Sequence, residues 1–433
     1  MADAPQPDQQ QMTGGAYLRL VLLGAAVGIP SALAAALFLA LVHDMEHWLW
    51  HDLPDALGHS SPPWYLVIAL PAVGGLIVAV VRLLLPGNGG HRPLDGLGMG
   101  ATPIAYGPGI VLAGLGTLSF GAVLGPEAPL IALGSVVGML ATLFHRANER
   151  EEAVLATAGS FSAISALFGG PLVGGMLMIE GGLAMGTALL PVILPGFVAA
   201  AVGYLIFVGF GDWGGLEAQS LAVPNLPPYD GVHFGDLTVA VSVGILGALV
   251  VVGARRFGRV LDGKGQSRKS MPFLLILGGL AVGLLAQTAD WLGANSQDVL
   301  FSGQASVPVL VASDSTKIVL ILFVAKAIAY AVSLGAGFRG GPVFPAIFLG
   351  IALATFASLW FDASPTLAVA VGAAAGTAAV TRLLVTASLF ASLLVGTAGV
   401  DAVPAAVIAA SAAWLTLQAV DRRYAPTSSS AVS

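Results

Sequence analysis

The 433-residue chain contains no cysteine and very little charge, since Asp, Glu, Lys and Arg together make up 9% of it. The absence of cysteine excludes disulfides, thiolate catalysis and cysteine-ligated metal centres. A soluble domain carries roughly one quarter charged residues, which is far more than this chain has. The sequence therefore cannot cover a globular surface with charge and is not that of a soluble protein.

Basic residues are also too few for a nucleic-acid partner, with 17 Lys and Arg against 23 Asp and Glu and a net charge of −6. Phosphate binding needs Lys and Arg clustered on an exposed face. Four histidines lie in one early segment: His43, His47, His51 and His59. Their spacing is irregular and no set of partner carboxylates accompanies them, so they are predicted to be surface residues and not metal ligands. We expect no metal and no cofactor.

Apolar residues are what the chain has in abundance, at 57% of its length. Runs such as Tyr17 to Val42 and Trp64 to Leu85 exceed the roughly 20 residues that cross a hydrocarbon core of about 30 Å. The first 15 residues lack the positive region of a signal peptide, so the first run is predicted to be a retained helix. We predict an all-α polytopic protein of a lipid bilayer, and the compact chain suggests the bacterial inner membrane.

The distribution of basic residues predicts how the chain is oriented in the membrane. Six of them lie between Ala254 and Ser270, which is predicted to be a short loop, and the positive-inside rule places that loop in the cytoplasm. One helix back, Pro224 to Tyr229 is predicted to lie outside, as is Asp290 to Ser315 one helix forward. Arg422 and Arg423 then predict a cytoplasmic C-terminus.

An internal repeat is the most informative pattern. The template G-P-x-x-P-x-I-x-L-G occurs at Gly125 to Gly134 and again, 216 residues later, at Gly341 to Gly350. At the same offset the small-residue stretch Ala156 to Ala166 lies over Gly372 to Arg382. Paired breaks of this kind predict a binding site near the midplane, where the two halves meet. The predicted division is a tail at 1–15, a first membrane repeat at 16–210, an extracellular linker at 211–236, a second repeat at 237–424 and a tail at 425–433.

Glu127 follows Gly125-Pro126 between two apolar stretches, and a carboxylate inside a membrane is costly enough to be a functional candidate. The glycine and prolines predict that a helix begins there. The unpaired N–H groups of a first helical turn can hold an anion or, in its absence, a carboxylate. Protonation would neutralise Glu127 and release it, which links pH to gating or to proton coupling. The alternative is an ordinary carboxylate at a helix N-terminus.

Two further breaks and one further carboxylate are candidates. The uncharged break Gly340 to Pro345 offers amide donors, although Pro342 has no N–H. The break Pro86 to Pro93 contains Asn88 among glycines, and a plain interhelical turn is the alternative there. Glu180 closes an apolar run, so it is either a polar group on a proton or anion route or a helix-end carboxylate near water.

The three breaks, in this order, resemble the signature segments of the chloride channel and chloride/proton antiporter (CLC) family. Gly87 to His91 resembles Gly-Ser-Gly-Ile-Pro, Leu124 to Pro129 resembles Gly-Arg/Lys-Glu-Gly-Pro, and Gly340 to Pro345 resembles Gly-x-Phe-x-Pro. The resemblance covers nearly the whole membrane region. It implies a homodimer with one pathway per subunit, each subunit being two inverted-topology repeats with interrupted helices.

The resemblance also implies residue roles. Glu127 would be the gating glutamate. Asn88, with Gly89 beside it, would stand where the pore serine coordinates the central anion. Val343 and Phe344 would lie beside the anion-binding amides, and Tyr424 is the candidate for the pore tyrosine although its spacing is off.

The chain departs from the family pattern at three places. Gly181 stands at the position of the internal proton-transfer glutamate, with Glu180 one residue earlier, which favours a channel or a loosely coupled carrier. Asn88 in place of serine leaves the anion preference open, since fluoride-exporting members also depart there. Pro342 removes one expected amide donor.

The predicted function is transport of small inorganic anions, chloride foremost, gated by Glu127. The alternative is a proton-coupled antiporter of fluoride or another halide. An intramembrane enzyme with Glu127 as a base would need a second catalytic group, and the apolar core offers few. A carrier of organic solutes would need a larger polar lining, and a structural scaffold would not need paired breaks.

Overall fold

The computed structural model describes residues 14–144, 147–183, 186, 189–211, 214–216, 221–265, 267–361 and 363–424. Within these ranges the chain is helical, and its extended pairing is limited to one isolated antiparallel bridge. The helices in chain order are α1 Gly14–His47, α2 Leu53–Ala56, α3 Trp64–Leu84, α4 Gly107–Leu118, α5 Glu127–Thr142, α6 Glu149–Leu167, α7 Pro171–Gly182, α8 Leu190–Val208, α9 Phe234–Lys264, α10 Ser270–Trp291, α11 Ser296–Val299, α12 Val307–Val311, α13 Thr316–Ala336, α14 Val343–Phe361, α15 Pro365–Thr381, α16 Leu384–Val395 and α17 Val403–Tyr424.

Eight helical segments among the described residues are long and apolar enough to cross a membrane. The two apolar runs singled out in the sequence correspond to α1 and α3. Leucines project outward from these helices, as Leu22 and Leu37 do on α1, and give the molecule an apolar outer surface that a bilayer would cover. The prediction of an all-α polytopic membrane protein is confirmed.

Two sequence-based boundaries are wrong. The first helix was expected to end with the apolar run at Val42, but α1 continues to His47 and a π-helical turn carries the chain on to Asp52. The basic segment was expected to be a loop from Ala254, but α9 continues to Lys264. A helix of 31 residues is about 46 Å long at about 1.5 Å per residue, so it is longer than the hydrocarbon core. Its basic last turns can therefore lie beyond the hydrocarbon while remaining helical.

The sequence repeat corresponds to two helix pairs that are built alike. Helices α5 and α14 begin at equivalent residues of the repeat, Glu127 and Val343. Each packs closely on the following helix through a glycine. A Cβ atom on Gly134 would lie 2.3 Å from a carbonyl oxygen of α6, and one on Gly350 would lie 2.1 Å from a carbonyl oxygen of α15. Only glycine permits helices to approach this closely.

Helices α14 and α15 form the buried centre of the molecule. Nearly all of α15 from Thr366 to Val380 is buried, and its many alanines and glycines allow other helices to surround it. The outer helices leave one face exposed instead. The two breaks of the repeat therefore meet deep inside the protein.

Candidate anion pathway

The two Gly-Pro breaks of the repeat are joined directly to each other. The N–H of Gly125 donates to the carbonyl oxygen of Gly341 at 2.7 Å, and the N–H of Gly341 donates back to Gly125 at 2.5 Å. Because α5 and α14 each begin two residues later, the bridge brings the N-termini of two helices to one place. The sequence predicted such a meeting of the two halves.

Glu127 lies at this meeting point and is completely buried. Its Oε1 atom accepts a hydrogen bond of 2.8 Å from the backbone N–H of Phe344, in the first turn of α14. Its Oε2 atom has no hydrogen-bond partner within the described part of the chain. The carboxylate of the first half therefore occupies a helix N-terminus of the second half, where the helix dipole favours negative charge.

Glycine is required on both sides of this carboxylate. A Cβ atom on Gly341 would lie 1.7 Å from Oε2 of Glu127, and one on Gly125 would lie 2.3 Å from it. Any side chain at either position would displace Glu127. The breaks are thus shaped to let a carboxylate approach the backbone.

The wall beside Glu127 combines one hydroxyl with a cluster of aromatic rings. Tyr330 donates its hydroxyl to the carbonyl oxygen of Pro342 at 2.9 Å. Phe344 lies near Phe168 and Phe390, with ring centroids 5.9 and 6.1 Å away, and Phe168 and Phe390 are 4.6 Å apart in an edge-to-face arrangement. Such a wall excludes water from the Phe344 amide and strengthens its interaction with any negative charge.

The first break, Pro86 to Pro93, is held against the break at Gly340 to Pro345 by two arginines. Gly87, Asn88, Gly89 and Gly90 all have positive φ, which explains why three of them are glycine. The Nε atom of Arg82 donates to Oδ1 of Asn88 at 2.9 Å, and Nε of Arg339 donates to the Asn88 carbonyl oxygen, also at 2.9 Å.

Arg339 directly precedes the Gly340-Gly341 break, so Asn88 and Gly89 lie next to the second half, and their anion-binding role stays a prediction. Gly89 itself is closely surrounded, since a Cβ atom there would lie 3.3 Å from Arg339 and 3.4 Å from Arg82. The Asn88 side-chain oxygen is already engaged by Arg82.

Glu180 binds a different helix N-terminus. Its Oε1 accepts hydrogen bonds from the backbone N–H groups of Leu384 and Val385 at 2.6 and 3.1 Å. Its Oε2 accepts from both the N–H and the hydroxyl of Thr386, each at 2.8 Å. The carboxylate therefore caps α16 from α7. The sequence-based alternatives of a route residue or a water-exposed helix end did not include this contact.

The remaining predicted residue, Tyr424, is the last residue of α17, and its side chain lies outside the described residues. Its assignment as a pore tyrosine stays a prediction. The structure places another tyrosine, Tyr330, against the carbonyl group of Pro342.

Sequence reasoning missed the buried cations. Lys326 is completely buried, and its Nζ donates to three carbonyl oxygens at the end of α11: Asp298 at 2.9 Å, Val299 at 3.2 Å and Leu300 at 2.8 Å. Arg339 is almost completely buried as well. Both could have been found with the criterion applied to Glu127, a charge within or beside an apolar run.

Comparison with known proteins decides the family. The family model of voltage gated chloride channels matches residues 92–417, which is most of the chain. The chain belongs to this family. The resemblance to the CLC family is thereby confirmed, and the match, which begins after the Gly87 to His91 break, assigns the chain to a group of ion-transport proteins rather than enzymes.

Individual relatives agree with the family assignment. The putative ion-transport protein YfeO of Escherichia coli O1:K1 is 30% identical over 355 residues, which is 78% of each chain. The crystal structure of a slow cyanobacterial Cl−/H+ antiporter has a TM-score of 0.74 at 17% identity, covering 93% of this chain and 95% of that one. A CLC-type fluoride/proton antiporter has a TM-score of 0.71 at 18% identity, with 94% and 96% covered. These two structures confirm the CLC fold.

Proposed function

We propose that this CLC-family protein moves small inorganic anions, chloride foremost, across a cell membrane and that Glu127 is the gate. The observation that carries the proposal is the hydrogen bond between the Glu127 carboxylate and the Phe344 amide. A halide accepts hydrogen bonds from the same donor, so the anion and the carboxylate compete for one place. The family assignment supports anion transport, and the buried carboxylate supplies the means of control.

Protonation is the proposed trigger. A neutral carboxyl group loses the charge that the Phe344 amide and the α14 dipole stabilise, so it leaves the amide more readily. An anion can then enter from either side and bind at Val343 and Phe344. The side-chain amide group of Asn88 would provide a further donor at the first break.

A second candidate is proton-coupled antiport of fluoride or another halide. One observation favours it: a fluoride/proton antiporter and a Cl−/H+ antiporter share the fold of this chain almost equally well. Against tight coupling, Gly181 occupies the expected position of the internal glutamate, and Glu180 has all its acceptor atoms engaged at α16. We infer that any proton coupling is loose.

The family resemblance further supports a homodimer. The compact chain supports a bacterial inner membrane, and Arg422 and Arg423 at the end of α17 support a cytoplasmic C-terminus.

The test is anion and proton flux in proteoliposomes for the wild type and for Glu127→Gln, with chloride and fluoride gradients applied separately. Glu149→Gln is the matched control, because Glu149 is an exposed carboxylate at the start of another helix, α6. We expect anion flux in the wild type and in the control, with pH dependence lost only in Glu127→Gln.

The outcome also separates the two candidates. Uphill proton movement driven by an anion gradient, abolished in Glu127→Gln, identifies an antiporter. Anion flux without proton movement identifies a channel or an uncoupled carrier. If neither chloride nor fluoride crosses the membrane in the wild type, the proposed function is wrong.

A further inference from the structure

Arg339 is a buried cation that the proposed gating step does not use. Its side chain is 3% exposed, and it directly precedes the Gly340-Gly341 break. An arginine side chain stays charged at any physiological pH, and a buried charge is costly unless a group of opposite charge accompanies it. The partners of Arg339 therefore indicate what this part of the molecule can bind.

The hydrogen-bond partners of the Arg339 side chain are carbonyl oxygens and not carboxylates. Nε donates to the carbonyl oxygen of Asn88 at 2.9 Å, and Nη1 lies 3.5 Å from the carbonyl oxygen of Phe338. Nη2 is buried and has no hydrogen-bond partner among the residues that the structure describes, and among the same residues no carboxylate lies within ion-pair distance of Arg339. A buried N–H group without an acceptor is unfavourable, and a small anion would satisfy both the N–H group and the charge.

Two carboxylates act electrostatically on Arg339, but both are paired with another arginine. Nε of Arg92 lies 3.6 Å from Oδ2 of Asp95, and Nη2 of Arg92 is bonded to Asp262. Arg82, which also acts on Arg339, donates to a side-chain amide oxygen and to a carbonyl oxygen. These three arginines and two aspartates give a net charge of +1, which one monovalent anion would neutralise.

The first break, Pro86 to Pro93, lies between Arg339 and a partly open cavity of about 240 Å³. Asn88 is exposed and lines the cavity, and its carbonyl oxygen accepts the hydrogen bond from Nε of Arg339. Gly89 lets the break lie close to this side chain, since a Cβ atom there would be 3.3 Å from Arg339. An anion in the cavity would therefore be one residue away from the buried guanidinium.

Arg339 is also joined to the Glu127 site, through direct backbone contacts. Arg339 and Gly341 are two residues apart, so their Cα atoms are at most about 7 Å from each other. Gly341 is hydrogen-bonded to Gly125, and a Cβ atom on Gly341 would overlap Oε2 of Glu127. Contacts therefore lead from Asn88 through Arg339 and Gly341 to Glu127.

We propose that Arg339 binds a small monovalent inorganic anion through Nη2, at a site separate from the Phe344 amide that Glu127 occupies. The inference rests on the proposed function and deepens it, because it adds a second anion site that carries a full positive charge. Glu127 does not bond to Arg339, so the anion can stay at Arg339 while the carboxylate holds the Phe344 amide. It then moves to that amide when protonation releases Glu127.

Arg339→Gln separates this role from a purely structural one. The side-chain nitrogen of glutamine is as many bonds from the backbone as Nε of arginine, so it can still donate to the Asn88 carbonyl oxygen. The charge and Nη2 are removed. A residue that only holds the first break in place would therefore be largely replaced by glutamine, whereas an anion-binding residue would not.

The experiment measures thermal unfolding in detergent at graded sodium chloride, and in a second series at graded sodium fluoride, with sodium gluconate keeping the ionic strength constant. An anion that binds the folded protein raises its unfolding temperature. We expect such a rise in the wild type with at least one of the two halides. Arg339→Gln should raise the half-maximal concentration by about ten- to a hundredfold, as for loss of one hydrogen bond to a charged group, and Arg339→Lys should recover part of the loss.

Lys264→Gln is the control for loss of a positive charge. Lys264 is exposed at the end of α9 and does not line the cavity beside Asn88. Its substitution should leave the half-maximal concentration at the wild-type value.

Bromide provides a direct measurement that does not depend on whether Arg339→Gln folds. In wild-type crystals grown in sodium bromide, anomalous scattering should locate a bromide ion within hydrogen-bond distance of Nη2 of Arg339. Crystals grown in sodium gluconate should show no anomalous peak there.

The inference is overturned if neither halide raises the unfolding temperature of the wild type, if folded Arg339→Gln keeps the wild-type half-maximal concentration, or if no bromide lies at Nη2. These measurements record binding and need no transport. Anion binding at Arg339 without anion flux in proteoliposomes would support the site and contradict the proposed function, so the two failures are distinguishable.

Discussion

Glu127 and Glu180 use their carboxylates in the same way, since each accepts backbone N–H groups in the first turn of a helix from a distant part of the chain. They differ in how completely they are bound. Glu127 has one such bond, to Phe344, and one oxygen without a partner. Glu180 receives three amide bonds and one hydroxyl bond at α16. Glu127 is therefore suited to leave its place, and Glu180 to remain in it.

This difference predicts a structural role for Glu180. Replacing it by glutamine removes the charge that three N–H groups share, and hydrogen bonds to a charged group contribute about 1.5–3 kcal/mol each. We expect Glu180→Gln to lower the thermal unfolding temperature in detergent by several degrees while the folded fraction keeps its anion flux. Unfolding followed by intrinsic fluorescence, together with liposome flux, measures both.

Glu149→Gln serves as the control here too, because Glu149 lies exposed in the first turn of α6. Its unfolding temperature should stay within about a degree of the wild type, in line with the small effect of surface changes. An unchanged unfolding temperature in Glu180→Gln, combined with lost proton movement, would show instead that Glu180 belongs to a proton route.

At this scale the sequence identified which carboxylates matter but not what they bind. Gly125-Pro126 predicts that a helix begins at Glu127, because both residue types act locally on the backbone. The partner of Glu127 is 217 residues away, and that of Glu180 is 204 residues away. Contacts over such separations depend on how the two halves pack, which local patterns do not specify.

Helix termini are also the places where the elements are held together. The short helix α11 ends against α13, where Lys326 donates to three carbonyl oxygens and lies 4.4 Å from the ring centroid of Phe348. The C-terminal carbonyls of a helix carry partial negative charge and have no partners within the helix. Lys326 therefore stabilises α11 as Glu180 stabilises α16, with the opposite sign of charge.

Lys326→Met should consequently be strongly destabilising. It keeps the apolar stem but leaves three carbonyl oxygens without their donor, at a cost of about 1–3 kcal/mol for each buried group left unsatisfied. We expect a clear fall in the unfolding temperature and faster proteolysis between α10 and α13. Limited proteolysis with mass spectrometry would locate the cleavage.

Lys317→Met provides the comparison, because Lys317 lies exposed in the first turn of the same helix. The same substitution there should leave both the unfolding temperature and the cleavage pattern unchanged. Equal behaviour of the two variants would contradict the role assigned to Lys326.

Element starts were more predictable than element ends. Both Gly-Pro breaks begin helices at equivalent residues, Glu127 and Val343, as the repeat predicts. The end of α9 was misjudged because charged residues suggested a loop, whereas Lys and Arg are good helix formers once a helix extends beyond the hydrocarbon. Composition reports the polarity of the surroundings and not whether the backbone stays helical.

On the scale of the whole molecule, the two halves are joined at the Gly125–Gly341 bridge but are not equal in charge. Glu127 belongs to the first half, whereas the ends of α9, α15 and α17 in the second half carry four arginines around one cavity: Arg255, Arg256, Arg259 and Arg382. The side of the membrane that these arginines face is set by the direction in which α9 crosses it.

The charge distribution predicts that the basic end of α9 faces the cytoplasm. On a chain without native cysteine, Lys264→Cys places a thiol at the end of α9, and Asp314→Cys places one just before α13. One crossing, by α10, separates these positions, so an impermeant maleimide should label Asp314→Cys from outside intact spheroplasts and Lys264→Cys only after lysis. Labelling of both from outside would contradict the predicted crossing. The reverse pattern would keep the fold but place the basic end of α9 on the outside of the cell.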